Sequence, residues 1–356
     1  MTRPLVCLVM ALTGCVAQDE LVEFGTTTQQ VAGCPKWVCG SNDPVVSSPF
    51  GPPVNFHELS ENPAVANAEG ISLLGLSAGG LMYKVDVAGG RLYGRRRGKP
   101  TLSGAILVGA TLVIQATTVK YNLKIVAVGK TDFYPLNGEQ AETYQIEQWA
   151  VGETNDKHRN LCSQAEILQD DSTSQSNELL GMSHWTLLLY ENSRVDANTK
   201  VITEGDPTWF NVACAGHVLA KTYLVRHTIG SQSAGFFTTP SERQAMLRMY
   251  LADYCGDGTP FTQSGEPLVW MDDAKWFGYW SPPTTLEARW GPNGVTCLNE
   301  PRMFDTDPAG QALFPNIEAA ISAQCTRPPQ CVDLDPYCFF DPSSTLFSHI
   351  VSSNPW

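Results

Sequence analysis

Leu81-Met82-Tyr83-Lys84-Val85-Asp86-Val87, followed by Ala88-Gly89-Gly90, alternates with the two-residue period of a β-strand. Tyr83, Val85 and Val87 fall on one face and Lys84 and Asp86 on the other. Gly89-Gly90 supplies the positive φ angles that a tight hairpin requires. Working outward, the spans 105–116, 121–128 and 143–151 read as further strands. Leucines at 92, 102, 107 and 112 recur every five residues within RLYGR, TLSGA and ILVGA. Three imperfect units are too few to stack a solenoid core, so a β-meander is expected from about residue 70 to 150.

Residues 152–180 are polar (ETNDKHRN, then QDDSTSQSNE) and mark a boundary or an exposed insertion. Strands are expected at 184–190 and 209–227. Thr239-Pro240-Ser241-Glu242 is a capping box with proline at the first helical position. The helix it opens should run to about Tyr254 and close at Gly256. With Ala245, Met246, Leu247, Met249, Tyr250, Leu251 and Ala252 on it, little polar face remains and the helix should be buried. Trp290-Gly291-Pro292-Asn293-Gly294 reads as a turn between two strands. A second short helix is expected at 316–323, and the tail from Cys325 as a loop pinned by sulfur.

The 356 residues are 43% hydrophobic and 17% charged, so the chain can bury a sizeable core and is not a disordered acidic tail. Its formal charge of −13 argues against general nucleic-acid binding, which depends on neutralising phosphates. No apolar run reaches the 18 or so residues of a membrane-spanning helix. Met1-Thr2-Arg3 followed by the apolar stretch 4–12 has the form of a signal-peptide core. It ends in Leu12-Thr13-Gly14-Cys15, which resembles a bacterial lipobox. Cys15 is therefore expected to be lipidated, with cleavage in front of it; the alternative is an ordinary secretory signal with a chance cysteine. Val16, rather than Asp, after the anchor resembles the sorting pattern of enterobacterial outer-membrane lipoproteins. Residues 15–33 read as anchor and tether, reaching on average about 20–25 Å as a coil.

Beyond Cys15 there are nine cysteines: Cys34, Cys39, Cys162, Cys214, Cys255, Cys297, Cys325, Cys331 and Cys338. In an exported chain they are disulfide candidates, and no C-x2-C pair favours zinc. Cys34 and Cys39, spaced C-x4-C around Pro35, should bridge locally, while longer bridges hold the C-terminal half. Nine is odd, so one thiol stays free or pairs between chains.

At the buried helix, Ala252-Asp253-Tyr254-Cys255-Gly256-Asp257-Gly258 resembles the signature of the bacterial ADYC-domain family. The likeness extends to Phe210-Asn211-Val212-Ala213-Cys214, Leu219-Ala220-Lys221, and Trp290 through Cys297. It is firm over about 205–300 and looser over 150–300. It implies an exported lipoprotein without an assigned reaction. It also implies cysteines where this chain has Thr222 and Met246, whose joint loss fits one missing disulfide. Asp253 is expected in the last helical turn, where the helix dipole disfavours a carboxylate. An Arg, the N–H groups of the following turn or a cation should therefore compensate it.

Gly75-Leu76-Ser77-Ala78-Gly79 matches the nucleophile elbow of α/β-hydrolases, in which a strand leads into a helix. Here a second strand follows, and a glycine-flanked serine equally suits a hairpin. Ser77 is the candidate nucleophile of that alternative. Trp270, Trp276 and Trp280 beside Asp272 and Asp273 form a candidate sugar-stacking site, set against the commoner role of aromatics in cores. Arg91, Arg95, Arg96, Arg97 and Lys99 make a solvated loop or a contact for an anionic envelope glycolipid or polymer. The six histidines show no paired ligand spacing, and in Cys214-Ala215-Gly216-His217 a disulfide is favoured over a thiol–imidazole couple.

The expected fold is α+β and β-rich: a meander domain over 34–151 and a disulfide-stabilised domain over 152–356 with one buried helix. The expected function is a lipid-anchored outer-membrane envelope protein acting as a non-catalytic surface or binding module. The alternatives are a secreted hydrolase and a carbohydrate-binding module. No cofactor, metal or nucleic acid is expected; the membrane, through lipid, and an envelope polysaccharide or protein are the expected partners.

Overall fold

The computed structural model describes residues 50–51, 54–134, 138–154, 158–162, 186–229, 238–262, 268–272, 275–278, 284–302, 316–331 and 346–351. The strands in chain order begin with a small hairpin, β1 (Phe50–Gly51) and β2 (Val54–Asn55), then β3 (Glu58–Ser60), β4 (Ile71–Ala78), β5 (Leu81–Ala88), β6 (Arg91–Arg95) and β7 (Leu102–Ser103). After a 3-10 turn at Gly104–Leu107 come β8 (Thr111–Ala116), β9 (Val119–Asp132), β10 (Gln140–Ala150), β11 (Arg159–Asn160), β12 (Thr186–Glu191), β13 (Ser193–Val195), β14 (Ile202–Glu204) and β15 (Trp209–Cys214). Helices α1 (Val218–Leu224) and α2 (Pro240–Leu251) follow. The chain continues with β16 (Val269–Asp272), β17 (Lys275–Gly278), β18 (Thr284–Gly291), β19 (Gly294–Leu298), α3 (Ile317–Gln324) and β20 (Leu346–Val351).

The quoted stretch forms β5 as its alternation requires: Tyr83, Val85 and Val87 are buried and Lys84 is exposed. Gly89 and Gly90, with φ of 61° and 67°, turn it into β6. Hairpin pairing of this kind builds one 11-stranded antiparallel sheet in the order β3-β15-β12-β10-β9-β8-β4-β5-β6-β7, with β11 on β10. The sheet curls, so that Leu92 of β6 donates its N–H to the Tyr144 hydroxyl of β10 at 2.7 Å. One apolar core therefore collects Leu76, Val85, Ile125, Ile146, Leu189 and Val212 from strands far apart in the order, with Phe56 from the link between β2 and β3.

The outside of this sheet carries a second core. Along β12, Leu187 and Leu189 point into the first core while Leu188 and Tyr190 point into the other. Both faces being covered explains why β12 and β15 are apolar runs rather than alternating strands. α1 packs on that outer face, α2 packs on α1 and β14, and the five-stranded sheet β17-β16-β20-β18-β19 closes over α2 from the far side. α2 is thus covered on one side by α1 and on the other by the five-stranded sheet, which accounts for its missing polar face.

Four expectations need correction. The span 105–116 is not one strand: Gly104 and Gly109 adopt φ of 56° and 89°, so residues 104–107 coil and the strand starts at Thr111. The span 209–227 is a strand only to Cys214; Val218–Leu224 is a second buried helix, misread because burial on every side erases the period. α2 keeps its capping box but ends at Leu251, since Ala252 turns left-handed at φ 51°. Asp253 therefore lies beyond the helix. Finally, residue 151 is no seam, because β12 and β15 pair into the same sheet as β10 and β3. The hairpin at 290–294 and the helix near 316 form as read. Thr222 and Met246 are fully buried on α1 and α2, which pack together.

Candidate functional site

The two most distinctive motifs dock on each other. Leaving α2, the backbone turns at Ala252 and runs through Tyr254-Cys255-Gly256 against the β18–β19 turn. Val295 donates its N–H to the Tyr254 carbonyl at 3.2 Å. A Cβ built on Gly256 would sit 1.9 Å from the Asn293 carbonyl oxygen, and one on Gly294 would sit 2.7 Å from that of Tyr254. Both positions also have φ in the left-handed region, so glycine is required at each for backbone approach as well as conformation.

Behind this contact lies a buried polar cluster. The Tyr254 hydroxyl donates to Glu287 Oε1 at 2.7 Å and accepts the Arg302 backbone N–H at 3.0 Å. Arg302 grips both Glu287 oxygens at 2.7 and 2.8 Å and donates to the Met249 carbonyl at 2.9 Å. The Arg302 and Glu287 side chains are fully buried. Tyr254 stacks on Trp290 with centroids 5.4 Å apart, and the Trp290 indole N–H donates to Ser348 Oγ at 2.7 Å. Burial and the neighbouring Glu287 charge push the Tyr254 phenol well above its ordinary value. It is a neutral structural donor, not a proton carrier.

Glu287 reaches this cluster because it is the extra residue of a bulge. Leu286 pairs with His349 and Ala288 with Ser348, leaving Glu287 without a partner in the ladder. A bulge re-aims a side chain in this way.

Asp253 is compensated as a buried charge must be. Arg248 of α2 forms an ion pair with Asp253 Oδ2, and the Gly258 N–H donates to the same oxygen at 2.8 Å. Arg248 also donates to the Thr199 carbonyl at 2.7 Å. Burial raises the Asp253 carboxyl, and Arg248 and the Gly258 N–H oppose it. The ionisable residues of the motif are thus tied to partners inside the protein.

Ser77 stands near the end of β4, directly across from Met82 on β5 and Thr111 on β8. The chain turns back through Gly79-Gly80 into another strand, so the strand-to-helix geometry of a nucleophile elbow is not formed. Trp270 is fully buried, edge-on to His227 and Tyr250, and presents no face to a sugar. Asp272 and Trp276 lie on β16 and β17, described in backbone only, where Asp272 pairs with Lys275 and Trp276 with Met271. Asp273 and Trp280 are outside the described residues.

Six of the disulfide candidates pair as Cys162–Cys214, Cys255–Cys325 and Cys297–Cys331. Cys15, Cys34, Cys39 and Cys338 are outside the described residues. Cys214 is therefore no partner for His217, which burial, followed by the Lys221 charge, pushes down to about 3. Among the described residues no group of three or more His, Cys, Asp or Glu is placed to hold a metal ion. No helix among them is long and apolar enough to cross a membrane.

Sequence reasoning missed a ring of carboxylates around the β5–β6 hairpin. Glu61 accepts the Val87 N–H at 2.6 Å, and Glu191 accepts that of Gly90 at 3.2 Å. Glu142 accepts the Tyr144 hydroxyl. The partners are far apart in sequence, which leaves no local signal. Burial raises the Glu61 and Glu191 carboxyls above the usual carboxylate value, and the N–H donors only partly offset it. In the window between the unfolded and the raised folded value, the folded protein binds the extra proton, so stability falls as pH rises. Glu61→Gln keeps an acceptor for Val87 without the charge. It is expected to raise the melting temperature relative to wild type at pH 7, with the difference shrinking towards pH 4. A difference independent of pH in thermal scans would refute the assignment.

A family model described as the ADYC domain matches residues 104–304, beginning N-terminal of both the firm likeness at 205–300 and the looser one from 150. No curated protein and no solved structure matches the chain significantly.

Proposed function

The chain belongs to the ADYC-domain family, and on that premise we propose that it is an exported, lipid-anchored envelope protein whose β-rich body is a non-catalytic surface or binding module. The observation that carries this reading is the set of three disulfides spanning 52, 70 and 34 residues. Crosslinks of that kind belong to oxidising compartments, and the leader ending in Leu12-Thr13-Gly14-Cys15 gives the chain a route there. Burial of Asp253 and of Glu287, each paired with an arginine inside the core, favours a binding role over catalysis. Acyl chains on Cys15 would each add about 0.8 kcal/mol per buried methylene, and several together anchor stably. With Val16 after the anchor, the outer membrane is the proposed location.

The test is metabolic labelling of bacteria that express the full chain, using an alkyne fatty acid. The expected result is a labelled protein beginning at residue 15 and an unlabelled one after Cys15→Ser. An unlabelled chain that keeps Met1, with its thiols open to alkylation before reduction, would overturn the reading.

A further inference from the structure

Charge is distributed very unevenly along this acidic protein. From Lys84 to Lys130 there are nine cations and one anion, Asp86, giving that segment +8 and the rest of the chain −21. The segment supplies adjacent strands, β6, β5, β8 and β9, arranged around β4. Strand register puts the cations on one face. Arg95 lies across from Lys84; Met82, two residues from Lys84, lies across from Ser77; Ser77 lies across from Thr111, and Thr111 across from Lys124. Four inter-strand steps make this row roughly 19 Å wide. Lys84, Arg95 and Lys124 are exposed, as are Arg96, Arg97 and Lys99 in the loop after β6 and Lys120 further along β9.

Like charges directly opposite each other, as at Lys84 and Arg95, destabilise a sheet. The Asp86–Arg95 ion pair, at 2.6 Å, relieves only part of that cost. Apolar side chains accompany the cations. Of the seven large hydrophobic residues exposed among the described residues, Met82 stands on β5 two residues from Lys84, Ile106 and Val108 lie in and just after the 3-10 turn, and Val119 opens β9 next to Lys120. A fifth, Val151, donates its backbone N–H to the Lys120 carbonyl.

We infer that this sheet face docks on the anionic surface of a lipid bilayer, with Lys84, Arg95, Arg96, Arg97, Lys99 and Lys124 meeting headgroup phosphates. Charge complementarity selects a polyanionic surface. Exposed Met82 on the Lys84 face, and the exposed Ile106 and Val108 at the turn between β7 and β8, favour a bilayer over a soluble polymer, because a membrane interface rewards apolar insertion together with cationic contact. Glu147 of β10, directly across from Lys124, ends the cationic row on that side, and the net charge of −21 on the rest of the chain is repelled by the same surface, which orients the body. The inference deepens the envelope reading by naming what the module binds.

The experiment uses the full chain carrying Cys15→Ser, so that no acyl chain contributes, and sediments it with phosphatidylcholine vesicles with and without phosphatidylglycerol. Binding is expected only to the anionic vesicles and should fall steeply with salt. Lys84→Gln/Arg97→Gln/Lys124→Gln should weaken it about 100-fold, at roughly five-fold per cation. Arg159→Gln/Arg327→Gln, off this face, should leave it unchanged. Equal binding to neutral vesicles, indifference to the triple substitution, or binding to dextran sulfate or duplex DNA without binding to vesicles would each overturn the inference. The unacylated chain reads the face alone: its failure leaves the anchor standing, and failure of acyl labelling leaves the face standing.

Discussion

Replacing Glu287 by alanine is expected to destabilise the protein by about 3–5 kcal/mol, the cost of stranding a buried charge. Arg302 would lose both of its carboxylate contacts at a fully buried position, and the Tyr254 hydroxyl would lose its acceptor. Tyr254→Phe removes only the hydroxyl from the same cluster and should cost about 1–2 kcal/mol. Urea unfolding followed by tryptophan fluorescence reads both, since Trp290 stacks on Tyr254. Equal midpoints for Glu287→Ala and wild type would show that the cluster does not hold the second sheet to α2.

The second large effect concerns sulfur. Cys255→Ala/Cys325→Ala removes a crosslink closing 70 residues, which the loop-entropy account values at about 4 kcal/mol. The loss should fall first on α3. That helix is eight residues long and buries only Ile317 and Ile321, too little to hold so short a helix without help. Cys255–Cys325 fastens its C-terminal end to the motif, and Cys297–Cys331 fastens the following residues to β19. Hydrogen exchange should show the amides of 317–324 losing protection in the double variant while those of β12 and β15 keep theirs. Unchanged protection in α3 would mean that packing alone secures it.

What could be read from the chain was whatever leaves a local trace. β5 announces itself by alternation because one of its faces is solvated, and α2 by Thr239 and Glu242, which form the reciprocal cap. Burial of α2 also followed from its composition. α1 escaped because each of its seven residues is buried, which erases the amphipathic stripe that marks a surface helix. Glu287 escaped for a different reason: a charged residue between leucine and alanine reads as the solvent face of a strand, and only pairing with β20 creates the bulge that turns it inward. For Asp253 the need for compensation was legible. Its partner, Arg248, stands five residues earlier on the helix, and the αL turn at Ala252 brings the two together. The basic run at 91–99 was visible, but Lys84 and Lys124 join it only through strand register. Of the proposed sugar platform, Trp270 belongs to the interior, where aromatic residues most often reside.

β12 and β15 are wetted on neither side, and this joins the fates of the two cores. Peeling away the helices and the smaller sheet would bare Leu188, Tyr190 and Ala213; opening the curled sheet would bare Leu187, Leu189 and Val212 on the same two strands. Neither layer can be shed cheaply. A gene fragment ending at residue 151 would lack the strands that complete its own interior, and one starting there would keep β12 and β15 without β10 and β3, the strands that flank them. The polypeptide should therefore be inherited, folded and degraded as an indivisible whole.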